Sequence, residues 1–444
     1  MTDGQRPTNV RYLVVAVTAV AALWMYIDRV CFSTLAPGIR DELGIDKDNW
    51  SFVLGAFFFT YALFQIPIGS LADRYGQRVV LTISIIAWSL CTAATSLAAG
   101  VVALLAVRLT LGVCEAGAYP AAAGLVRRWA SAEERGRLSS VVAFGGRIGG
   151  AIAPSFTTFA AITLLGNPET KTQNWRGVFL LYGALGIVAA VLFWVVVRNS
   201  PSAHPWANAA EADRVPPPPP TPDTPTPWPQ RLLALLTSRN MWLFGGLQFF
   251  VNVSWAFLIT SLPDYLKDRF AADVADVGPM QTAALSIGCV GMALGGLFGD
   301  LMYRWFGPRW GRSVPLAVLM LVCALTYLTA TQLPNAWTVI VALGFMAFLV
   351  DLSNPTIWAF AQDVGGRHVG AALGFGNMLG NFGAAASPVI LQFVRKSLGW
   401  DVAFLICAGS FVLAGVCGAC LNALIPVTRP EPPPDPEVTD SKEP

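Results

Sequence analysis

Twelve times along this chain an apolar stretch recurs that is long enough to cross a bilayer, and a chain built that way has few folds open to it. Inside hydrocarbon every backbone N–H and C=O must be bonded within the protein, so each stretch is predicted to be a helix. Strands of a closed barrel would alternate apolar and polar over about ten residues, and these stretches do not. The approximate cores are 12–36, 50–71, 79–98, 101–124, 138–163, 176–198, 241–262, 279–302, 313–331, 336–360, 370–394 and 401–424. Charged residues are 13% of the chain and mean hydropathy is +0.56, against about 25% charged residues in a soluble domain. The expectation is an all-α membrane protein.

Several chemistries are disfavoured by the same reading. The net charge of +2 comes without a dense basic patch, so nucleic acid is not an expected partner. All eight cysteines sit in apolar segments, where a thiol behaves as a small hydrophobe. Cys417 and Cys420 have CxxC spacing but no other ligand type nearby, and His204 and His368 flank predicted loops. No metal or cofactor is expected, and no nucleophile–base set suggests an enzyme. The first apolar run is longer than a signal-peptide core and follows ten mostly polar residues, so it is predicted to stay in the membrane.

The chain divides between the sixth and seventh spans. Residues 199–240 contain Pro216 to Pro220 and then TPDTPTPWP, a polyproline-type tether with no packable face. The predicted domains are a six-helix bundle over 1–198, the Pro-rich linker 199–240, a second six-helix bundle over 241–425, and a disordered tail over 426–444. Of the 29 Lys and Arg residues, three fall inside spans, eighteen in segments on one side and eight on the other. The positive-inside rule puts the richer side, with both termini and the linker, in the cytoplasm. The protein is therefore expected in the inner (plasma) membrane, as a multi-pass monomer.

One internal repeat stands out at the cytoplasmic mouth. After the second span the chain reads GSLADRYGQR, with Gly69, Asp73, Arg74 and Arg78; after the eighth it reads GLFGDLMYRWFGPRWGR, with Gly296, Asp300, Arg304 and Arg309. In both copies a glycine precedes the aspartate by four residues. Glycine permits close helix approach, the carboxylate suits a neighbouring helix N-terminus, and the arginines are expected to reach acids across the bundle. The spacing suggests a gate latch. The first copy resembles the GxLaDRxGxR signature of the major facilitator superfamily, with Gln77 where a base is more usual, and the second is a degenerate copy. That resemblance implies two pseudo-symmetric bundles of six helices rocking about a central site.

Inside the spans lie Arg29, Arg108 and Arg147, and the acids Asp28, Glu115 and Asp351. An ionised side chain at such depth costs several kcal/mol unless paired or wetted, so retained charges mark a site. Arg108 and Glu115 share one helix face about 10 Å apart, too far to pair, so each should seek a partner on another helix. Asp28 and Arg29 are the obvious candidates. Arg147, between glycines near mid-membrane, reads either as a second cationic contact for a solute or as a structural partner for Asp351 or Glu115. Tyr26 and Trp358 can stack on a carbon chain, or simply pack.

The stretches DRVCFSTLAP, YALFQIPIG, RLTLGVCEAGAYPA, NPTIWAFAQDV and GFGNMLGNFGAAASP are similar to those of the anion:cation symporter family, which includes sugar-acid transporters and the vesicular glutamate and sialic acid carriers. The resemblance implies proton-coupling acids at Asp28 and Glu115. It places substrate contacts at Arg29, Tyr61 and Arg108, with Asn377 from the other half. The family usually has an Asn-Ile-Ser-type run after the first-span arginine, and here Val30, Cys31, Phe32 and Ser33 stand instead. The expected function is proton-coupled uptake of an organic anion such as a hexonate, hexuronate or aldarate. An efflux antiporter or sugar transporter of the same fold is the alternative, and a non-transporting receptor is the different-class rival. In the empty site Arg29 and Arg108 would hold the two acids ionised, and an arriving carboxylate would take Arg29 and leave an acid to bind a proton.

Overall fold

A computed structural model describes residues 6–167, 169, 173–215, 228–271, 274–366 and 368–427. Among the described residues twelve long helices follow one another. The first half holds α1 (Val10–Thr34), α2 (Lys47–Tyr75), α3 (Gln77–Thr95), α4 (Val101–Ala116 continuing as Ala118–Trp129), α5 (Arg135–Thr158) and α6 (Trp175–Val196). The second holds α7 (Arg239–Thr260), α8 (274–306), α9 (308–330), α10 (Ala336–Gly365), α11 (Val369–Leu398) and α12 (Trp400–Cys420). The break between α8 and α9 falls at Gly307, whose φ of 73° suits a residue without Cβ, followed by Pro308.

The packing repeats itself six helices on. In the first half α1 packs on α5, α2 on α4 and α3 on α6; in the second, α7 packs on α11, α8 on α10 and α9 on α12. The halves meet where α2 faces α11 and α5 faces α8, the same contact seen twice. Both α1 and α7 are followed by a short helix with proline in its first turn, Ala36–Leu43 and Leu262–Phe270. The hydropathy pattern did not single these out, because they are short and polar. Outward faces carry exposed apolar side chains such as Ile83, Val188, Val341 and Phe393. A bilayer supplies the partner that such surfaces lack in water.

Part of the segment expected to be a bare tether is folded. Residues 201–215 lie back on the first half, with Pro201, His204 and Glu211 buried. The Glu211 carboxylate accepts from the backbone N–H of Val10 (2.9 Å) and Arg11 (3.0 Å) and from the Thr8 hydroxyl, so it caps α1 from the linker. Burial alone would raise its carboxyl. The Thr8 and backbone hydrogen bonds, with the Arg11 charge, outweigh that and hold it below the ordinary carboxylate range. The polyproline run of Pro216 to Pro220 and the tail from 428 lie outside the described residues.

Candidate functional site

The charged centre of the first half is a pair between α1 and α4. Arg29 donates to one Glu115 oxygen through Nε (3.2 Å) and Nη2 (2.7 Å), and the Glu115 side chain is fully buried. Three rings wall the guanidinium: its Cζ lies 5.0 Å from the Tyr26 ring, 5.0 Å from Phe57 and 4.6 Å from Tyr61. Rings at this range attract a cation by their quadrupole and exclude water from it. Arg108 also stands over Phe57, its Cζ 4.6 Å from that ring and 4.3 Å from Phe32. Phe57 thus lies close to both guanidinium groups, a role no residue-type pattern assigned to it.

The expected quartet assembles only in part. Arg29 finds Glu115, but Arg108 forms no ion pair among the described residues, and its Nε and Nη1 are buried without a hydrogen bond. Both Asp28 carboxyl oxygens are likewise buried and unbonded. The reason is angular. Successive helix residues point about 100° apart, so Asp28 and Arg29 aim in different directions and only Arg29 bonds Glu115. Arg108 is therefore held by aromatic faces where an acid was expected. Tyr61 sits at Arg29 as the resemblance implied. Asn377, on α11, accepts from Gln248 of α7 at 3.2 Å and stays in the second half. Gln65, fully buried on α2, has neither side-chain polar atom bonded. It was missed because a lone glutamine in an apolar run carries no pattern.

Arg147 meets Asp351. Its Nη2 donates to Asp351 Oδ1 across the junction of α5 and α10, so the pair joins the two halves. The aromatic residues Tyr119 of α4 and Trp358 of α10 also meet across the halves, edge to face at 5.0 Å.

Both copies of the repeat act as helix caps across the halves. Asp73 accepts from the backbone N–H of Gly370 and Ala371, each at 3.0 Å, at the start of α11. Asp300 accepts from Gly136 (2.9 Å) and Arg137 (3.0 Å) at the start of α5. Each carboxylate satisfies two orphan donors at the positive end of a helix dipole. Glycine makes the approach possible: a Cβ on Gly370 would lie 2.5 Å from the Gly69 carbonyl oxygen, and one on Gly296 2.6 Å from the Arg137 Cα. Of the repeat's arginines, Arg304 reaches an acid across the bundle as expected, pairing with Glu133 of the first half at 3.6 Å, and the others named do not among the described residues. Arg78 donates to the Trp194 carbonyl of its own half, at 2.7 Å through Nη2, and Arg74 lies over Tyr75. The crossing is made also by Arg135 and by Arg312 at the end of the second copy, which grip Asp363 from opposite halves, and by Arg127, which donates to the Gly366 carbonyl. At the opposite end the ion pairs Glu42–Arg176 and Asp264–Arg395 each stay within one half. The molecule is fastened between its halves at the arginine-rich end.

Two bundles related by repeat and joined at one end define the fold of a membrane transporter. The chain belongs to the major facilitator superfamily, whose model matches residues 18–388 and 305–444, and it is a multi-pass transporter, not an enzyme. It is 28% identical to the "Probable sulfoacetate transporter SauU" of Cupriavidus necator, over 95% of this chain and 96% of that one. It is 26% identical to the "Probable galactarate/D-glucarate transporter GudP" of Bacillus subtilis (94% and 92% covered) and to the hexuronate transporter of the same organism (89% and 91%). Among solved structures its fold is similar to FucP in the outward conformation, with a TM-score of 0.72 at 15% identity over 92% and 99% of the chains. It is similar also to the proton:xylose symporter XylE, with a TM-score of 0.71 at 14% identity over 92% and 95%.

Proposed function

We propose that this protein takes up a small organic anion of the sugar-acid or sulfo-acid kind by proton symport. The observation that carries the reading is the Arg29–Glu115 pair, a buried cation bonded to a buried acid inside a ring of Tyr26, Phe57 and Tyr61. A carboxylate arriving at Arg29 competes with Glu115 for the same donors, and the displaced acid, short of its counter-charge, takes a proton. Each ligand then favours the other, which is the coupling free energy symport needs. Asp28, buried and unbonded beside this pair, is the second proton carrier, and Arg108 and Tyr61 complete the anion contact, with Asn377 from the other half. The relatives' printed substrates, all organic acids, support the class. The bundles 1–198 and 241–425 are the rocking units, and the arginine-rich latch end, with both termini, faces the cytoplasm.

The test is uptake by purified protein in liposomes. An inward proton gradient should drive accumulation of a sugar acid or sulfo-acid in the wild type. Glu115→Gln should retain solute exchange and lose gradient-driven accumulation. Full pH-driven uptake by that variant refutes the assignment.

A further inference from the structure

The pair Arg147–Asp351 differs from Arg29–Glu115 in two respects. It joins the halves, Arg147 coming from α5 and Asp351 from α10. It is also open on one side: the Arg147 side chain is 30% exposed while Asp351 is 2% exposed. A solute can therefore reach the arginine while its resident acid stays behind it. Tyr26 of α1 touches Arg29 on one side and the helix that carries Arg147 on the other. The face of that ring lies 5.0 Å from Arg29, and its edge packs on Gly146 and Gly150, where added Cβ atoms would stand 3.0 and 3.4 Å away. Gly146 and Arg147 are consecutive, so Tyr26 lies against the turn of α5 that carries Arg147. Trp255 of α7 stands 5.2 Å from Arg147 on the second-half side.

We propose that Arg147 is a second anion contact, with Asp351 as its built-in competitor, and that the preferred solute is a dianion. The inference rests on the reading that Arg29 holds the first anionic group. The second group of the solute replaces Asp351 on Arg147, so the contact that selects the second charge also loosens the mid-membrane tie between the halves. A monoanion of the same length fills Arg29 and leaves Arg147 with Asp351.

The experiment compares a six-carbon aldarate with the aldonate that lacks its second carboxylate, by calorimetric titration of the full-length purified protein. The wild type should prefer the aldarate by about tenfold or more, the scale of one charge-assisted contact. Arg147→Gln should bring the aldarate down to the aldonate's affinity and leave the aldonate within about twofold. Asp351→Asn should tighten the aldarate, because its competitor is gone. If Arg147→Gln cannot be purified folded, the Asp351→Asn result decides alone, and unchanged or weakened aldarate binding there overturns the proposal. Equal loss of both acids in Arg147→Gln, or an unchanged ratio, also overturns it. Arg29→Lys separates the two readings. If it loses both acids while Arg147→Gln keeps the ratio, only this inference fails; if it binds both as the wild type does, or if the wild type binds neither, the anion site at Arg29 fails with it.

Discussion

Arg29 and Glu115 come from helices 86 positions apart in sequence and meet through two hydrogen bonds, while Arg108, on the same helix as Glu115, is left between two phenylalanine rings. One acid is thus claimed by one arginine, and a second arginine stands ready with donors unused.

That arrangement predicts unequal roles for the two cations. Arg29→Ala should abolish solute binding and, by leaving Glu115 buried alone, destabilise the fold by about 3–5 kcal/mol. Arg108→Gln should weaken solute binding while costing less stability, since no buried acid loses its partner. Titration of a bound sugar acid together with thermal melting of both variants reads the two effects apart, and equal melting losses would contradict the assignment.

The latch predicts a population shift. Asp73→Asn and Asp300→Asn each remove a charged cap, a loss of about 0.5–2 kcal/mol apiece. The equilibrium should move away from the state closed at the arginine-rich end by roughly 2- to 30-fold per substitution. Cysteine accessibility at positions beneath the latch measures this, and unchanged labelling in both variants would remove the latch role.

Glycine at the crossing is steric, so a side chain there should act differently from a lost cap. Gly370→Leu places a Cβ against the Gly69 carbonyl oxygen and should hold the arginine-rich end apart. Transport should fall by at least about tenfold while solute binding survives. Binding lost together with transport would indicate misfolding instead.

The linker cap has a pH signature. Glu211 is held below its ordinary value of 4.5, so its stabilisation is complete above pH 4.5 and fades as pH falls through the lowered folded value. Glu211→Gln should lower the melting temperature near neutral pH, on the scale of a cap of about 1 kcal/mol. The gap to the wild type should close as pH drops below about 4.5. A gap that stays constant down to acid pH would exclude the carboxylate as its source.

Much of this molecule was legible in order along the chain. Length and apolarity set twelve spans, since a backbone in lipid has no other way to satisfy its polar groups. The spacing of Gly69 to Asp73, repeated at Gly296 to Asp300, announced two halves and carboxylates that meet helix starts, and the rarity of charge in spans marked Asp28, Arg29, Arg108, Glu115, Arg147 and Asp351. Which charge pairs with which was not legible. Pairing depends on the rotation of each helix about its axis and on which helices touch, and neither leaves a local pattern. That geometry gave Glu115 to Arg29, withheld an acid from Arg108, set Arg147 against Asp351 between the halves, and turned the linker's Glu211 back onto the first helix. Composition and spacing determined that there are two bundles with charges buried inside them. Only the packing of distant helices decided their partners, because an ion pair is a distance in space and not an interval in sequence.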